Sequence, residues 1–263
     1  MKPLKFWLLS VLLLSTLPLA AQRSKADKVY QTQWDNVLPQ IADGGGWATR
    51  IVLINMGSQP ATANLYFYKD DGSEWAIRLK GQDVGSPVWS VSLPVGGSLL
   101  LETPGTDTQS NQGWMYMETS YWVSGMAMFI ADWPGVYAEG VVPFAPENDF
   151  DFYIPFDNRN GYVTSLALVN PYLKETATLK IDFLEPDGTL IVSRTITLEP
   201  LKHIAFETIR GDMFPETTGK YGVIHFQETG GQAGVASLGL LFSPRGPFTS
   251  MHAVSIDPHY YYN

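Results

Sequence analysis

The residues best able to do chemistry are four histidines, His203, His225, His252 and His259, all in the C-terminal part of the chain. Imidazole binds zinc and copper, but a zinc site is usually announced by two ligands close together, and no His-x-His pair occurs. Carboxylates and amides gather at Asp70-Asp71, at Asp149 to Asp151 and at Asp157-Asn158-Arg159-Asn160. Such oxygens suit calcium, yet none of these groups has the acidic spacing of a calcium loop, and Asp or Asn beside Gly also makes turns. No cofactor is expected, calcium being the one ion for which donors are gathered. The chain has no cysteine, which removes thiolate nucleophiles, thiolate metal sites and disulfides together. Gly44-Gly45-Gly46 precedes an apolar run instead of following one and opening a helix, so it reads as a backbone kink and not a phosphate cradle. There is no Gly-x-Ser-x-Gly elbow, and nothing in the order of Ser, His and Asp marks a triad.

The elements that must position these residues are short alternating stretches arranged in two similar runs, from Leu38 to about Phe144 and from Ile154 to about Ser255. The segment from Gly46-Trp47-Ala48-Thr49 through Ile51 and Leu53 to Asn55 matches Gly161-Tyr162-Val163-Thr164 through Leu166 and Leu168 to Asn170 without a gap. The stretch ending Asp70-Asp71-Gly72 matches that ending Pro186-Asp187-Gly188, and Asp-Gly after an alternating run signals a hairpin. Ser98 to Thr103 matches His203 to Thr208, Gly113 to Met117 matches Gly222 to Phe226, and Gly125-Met126-Ala127 matches Gly234-Val235-Ala236. About seven strands per copy, with turn residues between them and no sustained helical spacing, predict an all-β protein. The expected fold is two tandem immunoglobulin-like β-sandwich domains related by internal duplication. The expected boundaries are a signal peptide at 1–21, an N-terminal extension at 22–36, copy one at 37–147, copy two at 148–258 and a tail at 259–263. An outer-membrane barrel fits less well, because its strands need about 9 to 11 alternating residues.

Comparing the copies separates the faces of each strand. Ile51 and Leu53 pair with Leu166 and Leu168, and Met115 and Met117 with Ile224 and Phe226, so these point inward. Trp114 and Tyr116 then point outward, with Met126 and Met128 expected beside them on the next strand. All tryptophans beyond residue 22 lie between Trp34 and Trp133, and the second copy has none. Trp114, Tyr116, Met126 and Met128 are therefore the candidate ligand or partner contacts, for a protein or a carbohydrate. The competing reading is that this face packs against the second copy.

Lys2 and Lys5, the apolar run from Phe6 to Leu14 and the small residues Ala20-Ala21 form an export signal. Its removal predicts an extracytoplasmic chain, secreted, periplasmic or at the cell surface, that does not span the membrane. Losing the two lysines takes the net charge from -9 to -11, which argues against nucleic acid as a partner. Oligomers are compatible with this composition.

The run Leu38-Pro39-Gln40-Ile41-Ala42-Asp43-Gly44-Gly45-Gly46-Trp47-Ala48-Thr49, continued by Ile51 to Asn55, resembles a repeat of uncharacterised secreted bacterial proteins. In that repeat an Ala-Asp-Gly-Gly-Gly-Trp-x-Thr opening leads into a hydrophobic strand ending in Asn-Pro. The first copy departs at Met56, and the second keeps Asn170-Pro171 but opens on Asp157-Asn158-Arg159-Asn160-Gly161-Tyr162. The resemblance implies an extracellular β module and carries no known activity or catalytic residue. The expected function is a non-enzymatic binding or assembly module. Two alternatives stand beside it: a periplasmic chaperone-like adaptor of two sandwich domains, and a hydrolase with carboxylates between the copies.

Overall fold

The computed structural model describes residues 36–146, 149–231 and 233–256. The expected export segment, most of the expected N-terminal extension, Trp34, Asn148, His259 and the tail lie outside the described residues. The first half carries β1 (Val37–Asp43), β2 (Trp47–Asn55), β3 (Ala61–Lys69), β4 (Val88–Leu93), β5 (Ser98–Glu102), β6 (Asn111–Thr119), β7 (Val123–Trp133) and β8 (Val136–Pro143). The second carries β9 (Asp151–Asp157), β10 (Val163–Val169), β11 (Ala177–Leu184), β12 (Leu190–Leu198), β13 (His203–Glu207), β14 (Tyr221–Glu228), β15 (Ala236–Phe242), β16 (Phe248–Met251) and the short β17 (Val254–Ser255). One 3-10 turn, Pro215–Thr217, interrupts them. Among the described residues no helix is long and apolar enough to cross a membrane.

The strands form four antiparallel sheets, ordered β1-β6-β3-β4, β5-β2-β7-β8, β12-β11-β14-β9-β17 and β13-β10-β15-β16. Adding eight to each strand number of the first half reproduces the pairings of the second, with β17 as the one addition. This order departs from the immunoglobulin arrangement, in which the first two strands share one sheet. Here β6 and β7 lie in opposite sheets, as do β1 and β2.

Burial follows the alternation of a pleated strand. Ile51, Leu53, Met115 and Met117 join one buried cluster with Leu38, Phe67 and Phe129. Leu166, Leu168, Ile224 and Phe226 join another with Phe152, Ile181 and Phe183. The first cluster does not stop at the first half, because Ala167, Leu238, Leu240 and Phe248 belong to it. These project from the outer face of β13-β10-β15-β16, which therefore packs against the first half. β16 lies beside β8, where Ser250 Oγ donates to the Val141 carbonyl at 2.7 Å.

The register corrects one sequence match. Val52 pairs with Met126, and its counterpart Ala167 pairs with Leu238. Met126 and Met128 thus correspond to Leu238 and Leu240, three residues beyond the Val235 and Ser237 that a match on Gly-x-Ala selects.

Candidate functional site

The polar residues most regularly shared by the two runs are bolts within the fold. Thr49 Oγ1 donates to the Ala42 carbonyl at 2.8 Å and accepts from its N–H at 3.1 Å, tying β1 to β2. Thr164 links β9 to β10 in the same way, accepting from the Asp157 N–H at 2.9 Å. Buried Asn55 donates through Nδ2 to the carbonyls of Gln59, Leu93 and Pro94. Asn170 does the same for Glu175 and Leu198. All three glycines of Gly44-Gly45-Gly46 have positive φ, and a Cβ on Gly46 would lie 2.5 Å from the Trp133 ring, so the motif is a turn that only glycine fits.

The four candidate contact residues do not form one surface. Trp114 and Tyr116 stand on β6 and Met126 and Met128 on β7, and those strands belong to opposite sheets. Trp114 is fully buried, stacked on Tyr68 with ring centroids 4.7 Å apart. Its Nε1 donates to the Leu201 carbonyl of the second half at 3.0 Å. Tyr116 is half-buried beside Tyr66. The outward direction of β6 is as the alternation predicts, but at Trp114 the second half covers it.

Met126 and Met128 do face outward, and the structure surrounds them with residues that the sequence reading did not select. Leu100, Val52, Met126 and Pro143 form one row across β5-β2-β7-β8, and Glu102, Arg50, Met128 and Val141 form the next. Leu100 is 57% exposed, Val141 44% and Met126 38%. Arg50 Nε meets Glu102 at 3.1 Å and its Nη1 meets Glu139 at 3.5 Å, while Lys80 also binds Glu102. Partial burial pushes the Glu102 carboxyl up, and the hydrogen bonds from Lys80 and Arg50 outweigh it, leaving it below the usual carboxylate range. Exposed Tyr137 donates to Glu139 at 2.6 Å at the rim. The signal for Leu100 was present in Ser98-Leu99-Leu100-Leu101-Glu102, where alternation turns Leu100 away from its inward neighbours.

His203, His225 and several carboxylates are spread and internally paired, while His252 is exposed. His203 Nδ1 meets Asp70 Oδ1 at 2.8 Å, joining the halves, and Gln112 donates to the other oxygen of Asp70. His225 Nε2 meets Asp151 at 2.7 Å, with Tyr153 stacked on the imidazole. Asp182, the cross-strand neighbour of His225, accepts from Lys180 and Ser193. Ser193 thus bonds to a carboxylate, whereas a serine nucleophile needs a base such as imidazole at that distance. Asp71 caps its own turn through Ser73, and Asp157 is held below its usual range chiefly by hydrogen bonds from Arg159. Among the described residues no three His, Asp or Glu side chains are grouped to hold a metal ion. Comparison of the chain with protein-family models, with curated proteins and with solved structures finds no match.

Proposed function

We propose that the chain is an exported, non-enzymatic assembly module built from two copies of one sandwich unit, which binds protein through the outer face of β5-β2-β7-β8. One observation carries this reading. The corresponding face of the second half, with Ala167, Ala205, Leu238 and Leu240 in place of Val52, Leu100, Met126 and Met128, is the one the chain packs against its own first half. The first half leaves the same face open and lines it with larger apolar side chains. Duplication is supported by the shared strand order and by the paired Thr and Asn bolts. Export is supported by the first 21 residues and by the likeness of the Ala-Asp-Gly-Gly-Gly-Trp-x-Thr opening to secreted repeats.

The chemistry favours a protein over a carbohydrate, because the open rows are aliphatic and methionine-rich with Arg50 and Tyr137 at hand, residue types that protein interfaces favour. Arg50 and Glu139 place both signs of charge around the apolar centre, so a second copy related by a two-fold axis is a fitting occupant. Full burial of a Leu or Met side chain yields roughly 1.5 to 3 kcal/mol. Several such residues in register can thus offset part of the cost of association, about 4 kcal/mol or more.

Sedimentation velocity over a concentration series tests the proposal. Wild type is expected to self-associate, and Leu100→Glu with Met126→Glu to weaken association at least a hundredfold, about 2.7 kcal/mol, with unchanged circular dichroism. A wild type that stays monomeric at millimolar concentration overturns the reading.

A further inference from the structure

Between the halves, over the covered face of β13-β10-β15-β16, lies a half-open cavity of about 240 Å³. Its apolar wall includes Trp47, Phe129 and Phe242, with Trp47 edge-on to both phenylalanines at centroid distances of 6.5 and 6.4 Å. Its polar lining includes Gln40, Ser165 and Glu207. Gln40 Oε1 and Ser165 Oγ are buried and have no hydrogen-bond partner within the protein. Glu207 Oε1 accepts from Arg210 Nη1 at 3.1 Å, while its Oε2 is buried without a hydrogen bond, 2.7 Å from Arg210 Nε.

Two features distinguish this space from ordinary packing. Protein interiors are close-packed, and buried polar atoms are nearly always satisfied, so buried acceptors without hydrogen bonds on three residues lining one cavity, Gln40, Ser165 and Glu207, call for an account. The space also coincides with a local change of residue size. Ser165, Ala167 and Ala205 stand where the first half has Arg50, Val52 and Leu100, so small side chains in the second half open the room.

We propose that this cavity is a binding site for a small molecule with a one-ring apolar body and a hydrogen-bond-donating end, a hydroxyl or an ammonium group. The aromatic wall receives the ring. Gln40 Oε1 can only accept a hydrogen bond and Ser165 Oγ can accept one, so the polar end must donate. The volume suits one ring with a short chain, given that a cavity of about 150 Å³ takes up benzene. This site is distinct from the open face of β5-β2-β7-β8, and its occupancy does not depend on assembly.

The test uses three probes that share one body: 2-phenylethanol, 2-phenylethylamine and phenylacetate, each titrated into the full-length protein and followed by saturation-transfer NMR. The alcohol, the amine or both should bind saturably, with phenylacetate at least tenfold weaker. Gln40→Leu should weaken binding about tenfold, and Ala205→Phe, which fills the cavity, should abolish it while circular dichroism is unchanged. If Ala205→Phe does not fold, Gln40→Leu combined with Ser165→Ala serves in its place. Leu100→Glu with Met126→Glu should bind the probes as wild type does. The proposal is overturned if no probe binds saturably, if phenylacetate binds as well as the others, or if the cavity variants bind unchanged.

Discussion

Glu102 shows how one side chain ties the open face to the stability of the fold. It stands at the end of β5, where Lys80 and Arg50 converge on it and hold its carboxyl below the ordinary range despite partial burial. A carboxyl whose pKa is lower in the folded chain than in the unfolded one stabilises the fold fully above its unfolded value, about 4.3. That contribution is lost as pH falls from there through the lowered folded value. Asp157, held down chiefly by Arg159, acts in the same direction, as does Asp182, whose burial is outweighed by hydrogen bonds from Lys180 and Ser193. The urea midpoint should therefore be level between pH 7 and about 5.5 and fall below about pH 4.5. Glu102→Gln should be less stable at neutral pH and less steep below pH 4.5, as followed by tryptophan fluorescence. An identical pH profile in the variant would remove Glu102 from the account. Because Arg50 lies in the second row of the open face, the same substitution also frees its guanidinium from one of its two carboxylates.

At the scale of elements, strand identity and facing were legible in the sequence, while pairing was not. Ile51, Leu53, Met115 and Met117, with their counterparts Leu166, Leu168, Ile224 and Phe226, occupy the two buried clusters because alternation and a shared apolar character are local properties. Which strand lies beside which depends on contacts distant in sequence. The short turn from Thr119 to Val123 reads as a hairpin that would set Met126 beside Trp114, yet it carries the chain from one sheet to the other. A three-residue slip in matching β7 to β15 has the same origin, since Gly and Ala recur without fixing register. Among the described residues eight strands form in the first half and nine in the second, where turn signals suggest seven. The Asn that ends β2 and follows β10 was visible as a shared residue, but its role is non-local: Asn55 reaches carbonyls at Leu93 and Pro94. Asn55→Ala leaves buried carbonyls without a donor and should cost about 2 to 3 kcal/mol in urea denaturation. Asn170→Ala should cost a similar amount, since it deprives the carbonyls of Glu175 and Leu198. A loss within about 0.5 kcal/mol, the range of a neutral surface change, would show that the bolt is dispensable.

The whole molecule is defined by how its halves share a core. Ala167, Leu238, Leu240 and Phe248 of the second half sit in the same buried cluster as Leu38, Ile51 and Phe129 of the first. At a second place, Trp114 enters from the first half and donates to the Leu201 carbonyl, and His203 takes both the Asp70 carboxylate and its carbonyl. Leu201 itself has φ of 61°, a conformation that costs a leucine roughly 1 to 3 kcal/mol and persists only where surroundings enforce it. The turn Glu199-Pro200-Leu201-Lys202, closed by the Lys202 N–H on the Glu199 carbonyl, sets that conformation locally, and the Trp114 bond to the Leu201 carbonyl then uses it. Two halves joined through one shared buried cluster should unfold together, giving one calorimetric transition whose van't Hoff and calorimetric enthalpies agree. Trp114→Ala removes a large buried ring and the hydrogen bond at Leu201, at a cost of about 3 to 5 kcal/mol. Because that loss falls on the contact between halves, the variant should show two transitions or a van't Hoff enthalpy well below the calorimetric one. Two resolved transitions in wild type would mean that each sandwich closes its own core. Uniform destabilisation of a single transition in the variant would place the energy of Trp114 inside the first half, with Tyr68, and not at the joint.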